Sequence, residues 1–402
     1  MTAFGDVLRQ ATKLALGRGL AAALAIPRLV LVAQLFGAAA FGRYSLLSAY
    51  GMVGVVLVEV GLKTAAPRRA ARDPAQADAL TAQLVVVQGV IALVLAGLPA
   101  AVGVARPAEA AFLLAFFLGP AATSAGVVRR GLGDSGLESR VEGMLAVARL
   151  APVLLALVAP LDFDAVLWGT LAAVCAVLPF ARLRVRARGA HTAWRGLLGE
   201  GLTLLLAAAA SQLFARVDVI ILGWFTGDLE VAHYSAAALA LQALGLGTAA
   251  LAAAAIPWLA AVREESGDAA MFAVAARRCV VVVGATAAAA AVAAVAGLAL
   301  LPGLVGVDVA AGVMWPVALS AAPAAGSYWL FTALATAERS RAFTSAVAVT
   351  LGANVLLDVL VIPRYASAGA ATATLVSEAA LFALTLRAVR ARQAIDQPRG
   401  TP

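Results

Sequence analysis

The sequence predicts an all-α polytopic membrane protein of about 12 transmembrane helices, in two six-helix bundles related by a parallel pseudo-two-fold repeat. Three observations predict it: the excess of apolar over charged residues, the length of the apolar blocks, and the placement of basic residues between them.

Of the 402 residues, 63% are hydrophobic and 13% charged. Soluble globular chains hold about 45–50% apolar and about 25% charged residues. A water-soluble fold could not hide this much apolar surface, so lipid must be the solvent for most of the chain.

A helix needs about 20 apolar residues to cross the hydrocarbon core. Twelve blocks have that character: 14–36, 44–65, 79–104, 108–128, 141–160, 163–183, 199–226, 233–258, 271–301, 310–336, 342–362 and 366–388. Short polar breaks divide them, such as Pro67-Arg68-Arg69, the stretch from Gly131 to Gly136, and Pro363-Arg364-Tyr365. The divisions within 79–128 and 141–183 are the weakest, and merging them would give ten or eleven spans. Residues 1–13 are polar and amphipathic, so the first block is expected to insert and stay rather than serve as a cleaved signal. No polar loop is long enough to fold a soluble domain.

The formal charge of +8 resides mostly between alternate blocks. With the N-terminus in the cytoplasm, 22 basic residues fall on the inner side and only Arg43, Arg106 and Arg364 on the outer side. Basic residues are retained inside during insertion. The asymmetry predicts a multi-pass protein of the cytoplasmic (inner) membrane with both termini cytoplasmic. It makes the run from Arg182 to Arg188 an anchor on anionic lipid rather than a nucleic-acid site. Cys175 and Cys279 suggest neither a disulfide framework nor a metal site, and His191 and His233 stand apart from carboxylate clusters. No nucleotide-binding or nucleophile motif is present, so no catalytic residue, metal or cofactor is expected.

The halves look related. Arg28 opens an apolar run that reaches Phe36-Gly37, and Tyr44-Ser45 opens the next block. Arg216 opens a second run that reaches Phe225 and Gly227, followed by Tyr234-Ser235. The offset is 188 at the Arg and 190 at the Tyr. Six spans fit in that distance, and an even number gives two halves of one orientation. The lobes are placed at residues 1–190 and 191–402, with a midplane cavity between them.

Several of these stretches resemble a known family. Leu35-Phe36-Gly37, Phe41-Gly42-Arg43-Tyr44, Glu59-Val60-Gly61-Leu62 and Arg68-Arg69-Ala70-Ala71-Arg72-Asp73 look like the opening of bacterial polysaccharide flippases of the multidrug/oligosaccharidyl-lipid/polysaccharide exporter superfamily. The stretch from Arg216 to Phe225 is similar to their seventh helix. Asn354 to Tyr365 and Gly369 to Glu378 resemble their last two helices. The resemblance implies two six-helix bundles that move an undecaprenyl-pyrophosphate-linked glycan across the inner membrane. The chain is short for that family, its outer loops are minimal, and Ala366-Ser367 replaces a Gly-containing turn.

Five basic residues remain inside the blocks: Arg18, Arg28, Lys63, Arg149 and Arg216. A charge at the bilayer centre costs at least about 2.5–3.5 kcal/mol and needs a reason. Arg28 and Arg216, equivalent under the repeat, are expected on a cavity wall, where their forked donors suit a pyrophosphate. Arg149 would extend the basic lining, and Gln212, four residues before Arg216, would share its face. The bland alternative is an Arg paired to a carboxylate for packing. Arg18 and Lys63 can snorkel to the interface, and Glu59 and Lys63 are spaced for an i,i+4 pair. Asp218, two residues from Arg216, points elsewhere and needs its own partner or a proton. Asp218, Glu378 and Asp358 are the residues expected to couple an ion, since a carboxylate that takes up a proton can carry it through a conformational change. Hydrogen-bonded packing is the competing reading for all three. Pro27 beside Arg28 suggests a bend at the site.

These residues make a lipid-linked oligosaccharide flippase the leading reading. Its partners would be the pyrophosphate head group of the glycan lipid, the bilayer, and a glycan polymerase or export machinery. A drug or cation antiporter on the same scaffold would favour an acidic cavity, and an integral membrane enzyme would favour a large outer loop.

Overall fold

The computed structural model describes residues 2–103, 105–181, 205, 209–337 and 341–395, with side chains from residue 19 onward except at a few helical positions. Among these residues there are ten α-helices: α1 (Thr2–Glu59), α2 (Leu62–Arg72), α3 (Ala77–Ala101), α4 (Pro107–Gly131), α5 (Gly136–Leu155), α6 (Phe163–Val177), α7 (Val217–Phe225), α8 (Asp228–Val305), α9 (Ala311–Thr336) and α10 (Arg341–Ile395). Residues 209–214 are also helical.

Three of these helices are double. α1 bends at Gly37, α8 at Gly267 and α10 at Ala366, where the backbone leaves the helical region. With α2 set aside as too short to span, each limb taken separately, and 209–225 as one interrupted segment, the described residues give twelve helical segments in the predicted order. Seven stretches, three of them running through such a bend, are long and apolar enough to cross a membrane. Both weak divisions are present: α3 and α4 are separate, as are α5 and α6.

Two breaks differ from expectation. Pro67-Arg68-Arg69 lies inside helix α2, and the chain turns instead at Val60-Gly61, both with positive φ. Pro67 has no N–H for the carbonyl of Lys63, which would normally expose an unmet acceptor. Arg130 supplies the donor, with Nη2 2.7 Å from Lys63 O. Pro27 likewise leaves α1 helical; the non-helical backbone is at Gly37.

The chain forms two compact units, Met1–Gln212 and Leu213–Pro402. The predicted boundary at 190/191, the basic run 182–188 and His191 lie outside the described residues. In the first unit α4 is the central post, buried along nearly its whole apolar length, while α3 is mostly open to the surroundings. Phe116 and Phe117 of α4 seat against Gly51 and Gly54 of α1, where a Cβ would collide with either ring. In the second unit α9 is the most buried crossing, and a Cβ on Gly326 would lie 2.5 Å from Phe382. The outer faces carry open apolar stripes, such as Val86, Val90, Leu93, Val94 and Leu98 along α3, each more than half exposed. Such stripes suit hydrocarbon and not water.

The repeat is visible in the backbone. Gly37 has φ 84°, ψ 176°, and Gly227 has φ 100°, ψ −178°. Both positions need glycine, and both precede the helix that carries the paired tyrosine, Tyr44 or Tyr234.

Candidate functional site

In the first unit an aromatic column carries two cations. Tyr44 meets Phe112 edge-on at 4.9 Å between ring centroids, and Phe112 meets Phe116 at 5.1 Å. The guanidinium of Arg28 lies 5.7 Å from the Tyr44 ring centre, and that of Arg149 lies 4.6 Å from the Phe116 ring centre. Arg28 and Arg149 are within electrostatic reach of one another. The fold positions them by packing α1 on α5 and by keeping α4 small at Gly119, where a Cβ would come within 3.1 Å of Arg149 Nη2.

Neither guanidinium has a carboxylate partner among the described residues, and the Nε of each is buried without a hydrogen bond. The packing alternative required such a partner. Cation–π contact returns about 0.5–2 kcal/mol per pair, less than the cost of holding the charge in the membrane. The arrangement therefore favours an incoming anion.

Arg149 and Phe116 line a cavity of about 360 Å³ in this unit. Its other end holds Lys63, 3.4 Å from Glu59 and 3.5 Å from Glu142. The expected i,i+4 pair is thus present, with Glu142 as a second anion. Lys63 is neutralised where Arg149 is not. Gln212 is exposed, and the turn at 215–216 interrupts the helix between it and Arg216, so the two do not share the face of a continuous helix.

The second unit holds the acidic residues. Arg216 stands at that turn as the residue before α7, half-buried, and its side chain has no carboxylate partner among the described residues. Asp218, in the first turn of α7, is buried. Its Oδ2 accepts from Tyr234 at 2.5 Å and from Thr374 at 2.7 Å, while Oδ1 has no partner. These are the partners that the sequence required and could not name. The Tyr-Ser repeat flagged Tyr234; Thr374 carried no signal beyond standing one turn before Glu378 on the same helix.

Asn354 donates to Asp358 Oδ2 at 3.4 Å and accepts from Ser377 at 2.6 Å, so α10 folds back on itself through these groups. Asp358 is fully buried with Oδ1 unpartnered. Asp358 and half-buried Glu378 both feel the charge of Asp218. The structure thus brings Arg28 together with Arg149, and Asp218 together with Asp358 and Glu378. Among the described residues no cluster of His, Cys, Asp and Glu could hold a metal ion, and both cysteines are free.

Residues 7–262, well over half of the chain, match the family model described as polysaccharide biosynthesis protein. The chain belongs to this family. No curated protein sequence matches it. Among solved structures, this polysaccharide biosynthesis protein is similar to the lipid II flippase MurJ in an inward closed conformation, with TM-score 0.63, 11% identity, and 93% of this chain and 86% of that chain covered. It is also similar to a multidrug resistance MATE family transporter of the MOP superfamily in its outward-facing conformation, with TM-score 0.64, 12% identity and coverage of 97% and 96%. A point mutant of the Vibrio cholerae MATE transporter VcmN matches with TM-score 0.61, 17% identity and coverage of 98% and 97%. At these identities the likeness establishes the fold, the all-α two-bundle membrane fold of MOP-superfamily exporters. This polysaccharide biosynthesis protein is a multi-pass α-helical membrane protein with that fold.

Proposed function

We propose that the protein flips an undecaprenyl-pyrophosphate-linked oligosaccharide across the cytoplasmic membrane by alternating access, with lobes at 1–190 and 191–402 and both termini cytoplasmic. The observation that carries the reading is the pair Arg28 and Arg149, two cations on one aromatic column with no carboxylate among the described residues to neutralise them. A pyrophosphate supplies the missing charge and enough oxygens for both forks. Gln212 adds a neutral donor in the first unit, and Arg216, also without a carboxylate partner among the described residues, is a separate substrate-binding cation of the second unit. Asp218, Asp358 and Glu378 couple an ion to the conformational change, with free carboxylate oxygens on Asp218 and Asp358 to receive it. A glycan polymerase or export machinery would take the product.

A drug or cation antiporter on this scaffold fits less well, because the two acids of the first-unit cavity, Glu59 and Glu142, are held by Lys63, while Arg149 stacks on Phe116 with no carboxylate partner among the described residues. An integral membrane enzyme fits less well too, since the connections between α3 and α4 and between α5 and α6 are only a few residues long.

Deleting the gene and assaying for the lipid-linked glycan tests the reading. Surface polymer should be lost and the intermediate trapped on the cytoplasmic face. Loss of polymer with no trapped intermediate would point to an enzyme. Arg28→Ala and Arg216→Ala should each abolish export while the protein still inserts.

A further inference from the structure

The second unit contains a cavity of about 320 Å³, at the small end of the roughly 300–1,000 Å³ of ligand pockets. Its lining differs in kind from that of the first unit. Among the described residues no charged side chain lines it; six hydroxyls do, from Tyr234, Thr248, Thr286, Ser320, Tyr328 and Thr374. The rest of the wall is apolar: Ala238, Leu244 and Gly245 of α8, and Val317 with three alanines of α9.

Two of the six hydroxyls, Tyr234 and Thr374, hold Asp218, and the other four keep hydrogen-bonding capacity for a ligand. Thr248 and Ser320 donate to carbonyls of their own helices, at 2.9 and 2.7 Å, and keep lone pairs for an incoming donor. Thr286 and Tyr328 have no hydrogen-bond partner among the described residues, so each can donate and accept. Tyr328 also presents a half-exposed ring, braced edge-on by Phe331 at 6.3 Å. An uncharged wall of hydroxyls beside an open aromatic face suits a ligand that is itself uncharged and rich in hydroxyls. Hydrocarbon would leave these groups without partners, and an anion would find no cation.

We infer that this cavity is a second subsite, for a neutral sugar unit of the transported lipid. The inference rests on the flippase reading and adds to it a place for the sugar, built from hydroxyls of the second unit alone. Tyr234 and Thr374 line the cavity and also hold Asp218. Sugar occupancy and the ion load of Asp218 are therefore linked through the same two hydroxyls, and the linkage is reciprocal.

The test compares two probes on the purified full-length protein in nanodiscs: undecaprenyl pyrophosphate, and the same lipid carrying one N-acetylhexosamine. Wild type should bind the sugar-bearing lipid about tenfold more tightly, as two or three net hydrogen bonds allow. Thr286→Val and Tyr328→Leu should bind both lipids with the affinity of wild type for the bare lipid, and Thr286→Ser should restore the preference. Variants that keep the preference overturn the subsite, and so does a wild type that binds both lipids equally; neither result touches the flippase reading. A wild type that binds neither lipid overturns both.

Discussion

Tyr44 and Tyr234 hold the same place in the six-helix plan, yet they face opposite charges. Tyr44 lies beneath the guanidinium of Arg28, and Tyr234 donates to the carboxylate of Asp218 at 2.5 Å. The two halves have kept the glycine bend and the tyrosine while dividing the polar chemistry between them. The first unit sets its tyrosine beside a cation and the second sets its tyrosine beside an acid.

That division predicts unequal effects of one substitution. The Tyr44 hydroxyl is buried without a partner, so Tyr44→Phe should be neutral or slightly stabilising. Tyr234→Phe removes a hydrogen bond to a carboxylate and should cost about 1–2 kcal/mol, along with the ion dependence of transport. Thermal unfolding of the two variants in detergent checks the contrast. Equal melting temperatures would count against it.

In the first unit, Glu109 is almost wholly buried and holds two arginines. Arg43 grips it with both Nε and Nη2, at 2.9 and 2.8 Å, and Arg106 Nε donates at 2.9 Å. Glu109→Gln should lower stability by about 2–3 kcal/mol, since it strands the Arg43 charge. Arg106→Ala should cost well under half as much, because that side chain is 56% exposed. Melting temperatures of the two variants give the order.

Ala366 bends α10 with φ 47° and ψ −129°, a conformation that a Cβ disfavours. Ala366→Gly should therefore stabilise the protein by about 1 kcal/mol and raise its melting temperature. A drop would mean that the packed methyl outweighs the backbone strain.

Helix α4 meets α5 at Gly126, where an added Cβ would lie 2.5 Å from the backbone nitrogen of Glu138. Gly126→Ala should force the helices apart and cost at least about 2 kcal/mol. Folding yield in the membrane and the melting temperature report it.

The fold was legible because lipid imposes simple arithmetic on a sequence. Apolar block length and basic asymmetry were enough to count crossings, and Phe36-Gly37 with Tyr44-Ser45 marked the repeat. Punctuation was less legible. Pro67 and its arginines read as a break, yet Arg130 satisfies the carbonyl that Pro67 frees, so the helix survives. The turn that interrupts the seventh crossing at Arg216 left no Pro or Gly to announce it. The site was half legible. Intramembrane Arg28, Arg149, Asp218 and Asp358 stand out by cost alone. Their partners Phe116, Tyr234 and Thr374 are ordinary membrane-helix residues, and only packing between helices distant in sequence selects them.

The central claim is that unneutralised arginines in the first unit receive a pyrophosphate. Its most direct test is the rate of translocation of undecaprenyl-pyrophosphate-linked oligosaccharide in proteoliposomes bearing wild type, Arg28→Gln or Arg149→Gln at equal insertion. The account predicts a fall of at least about tenfold for each variant, the value of one lost charge-assisted contact. Variants that translocate the lipid as fast as wild type would contradict it.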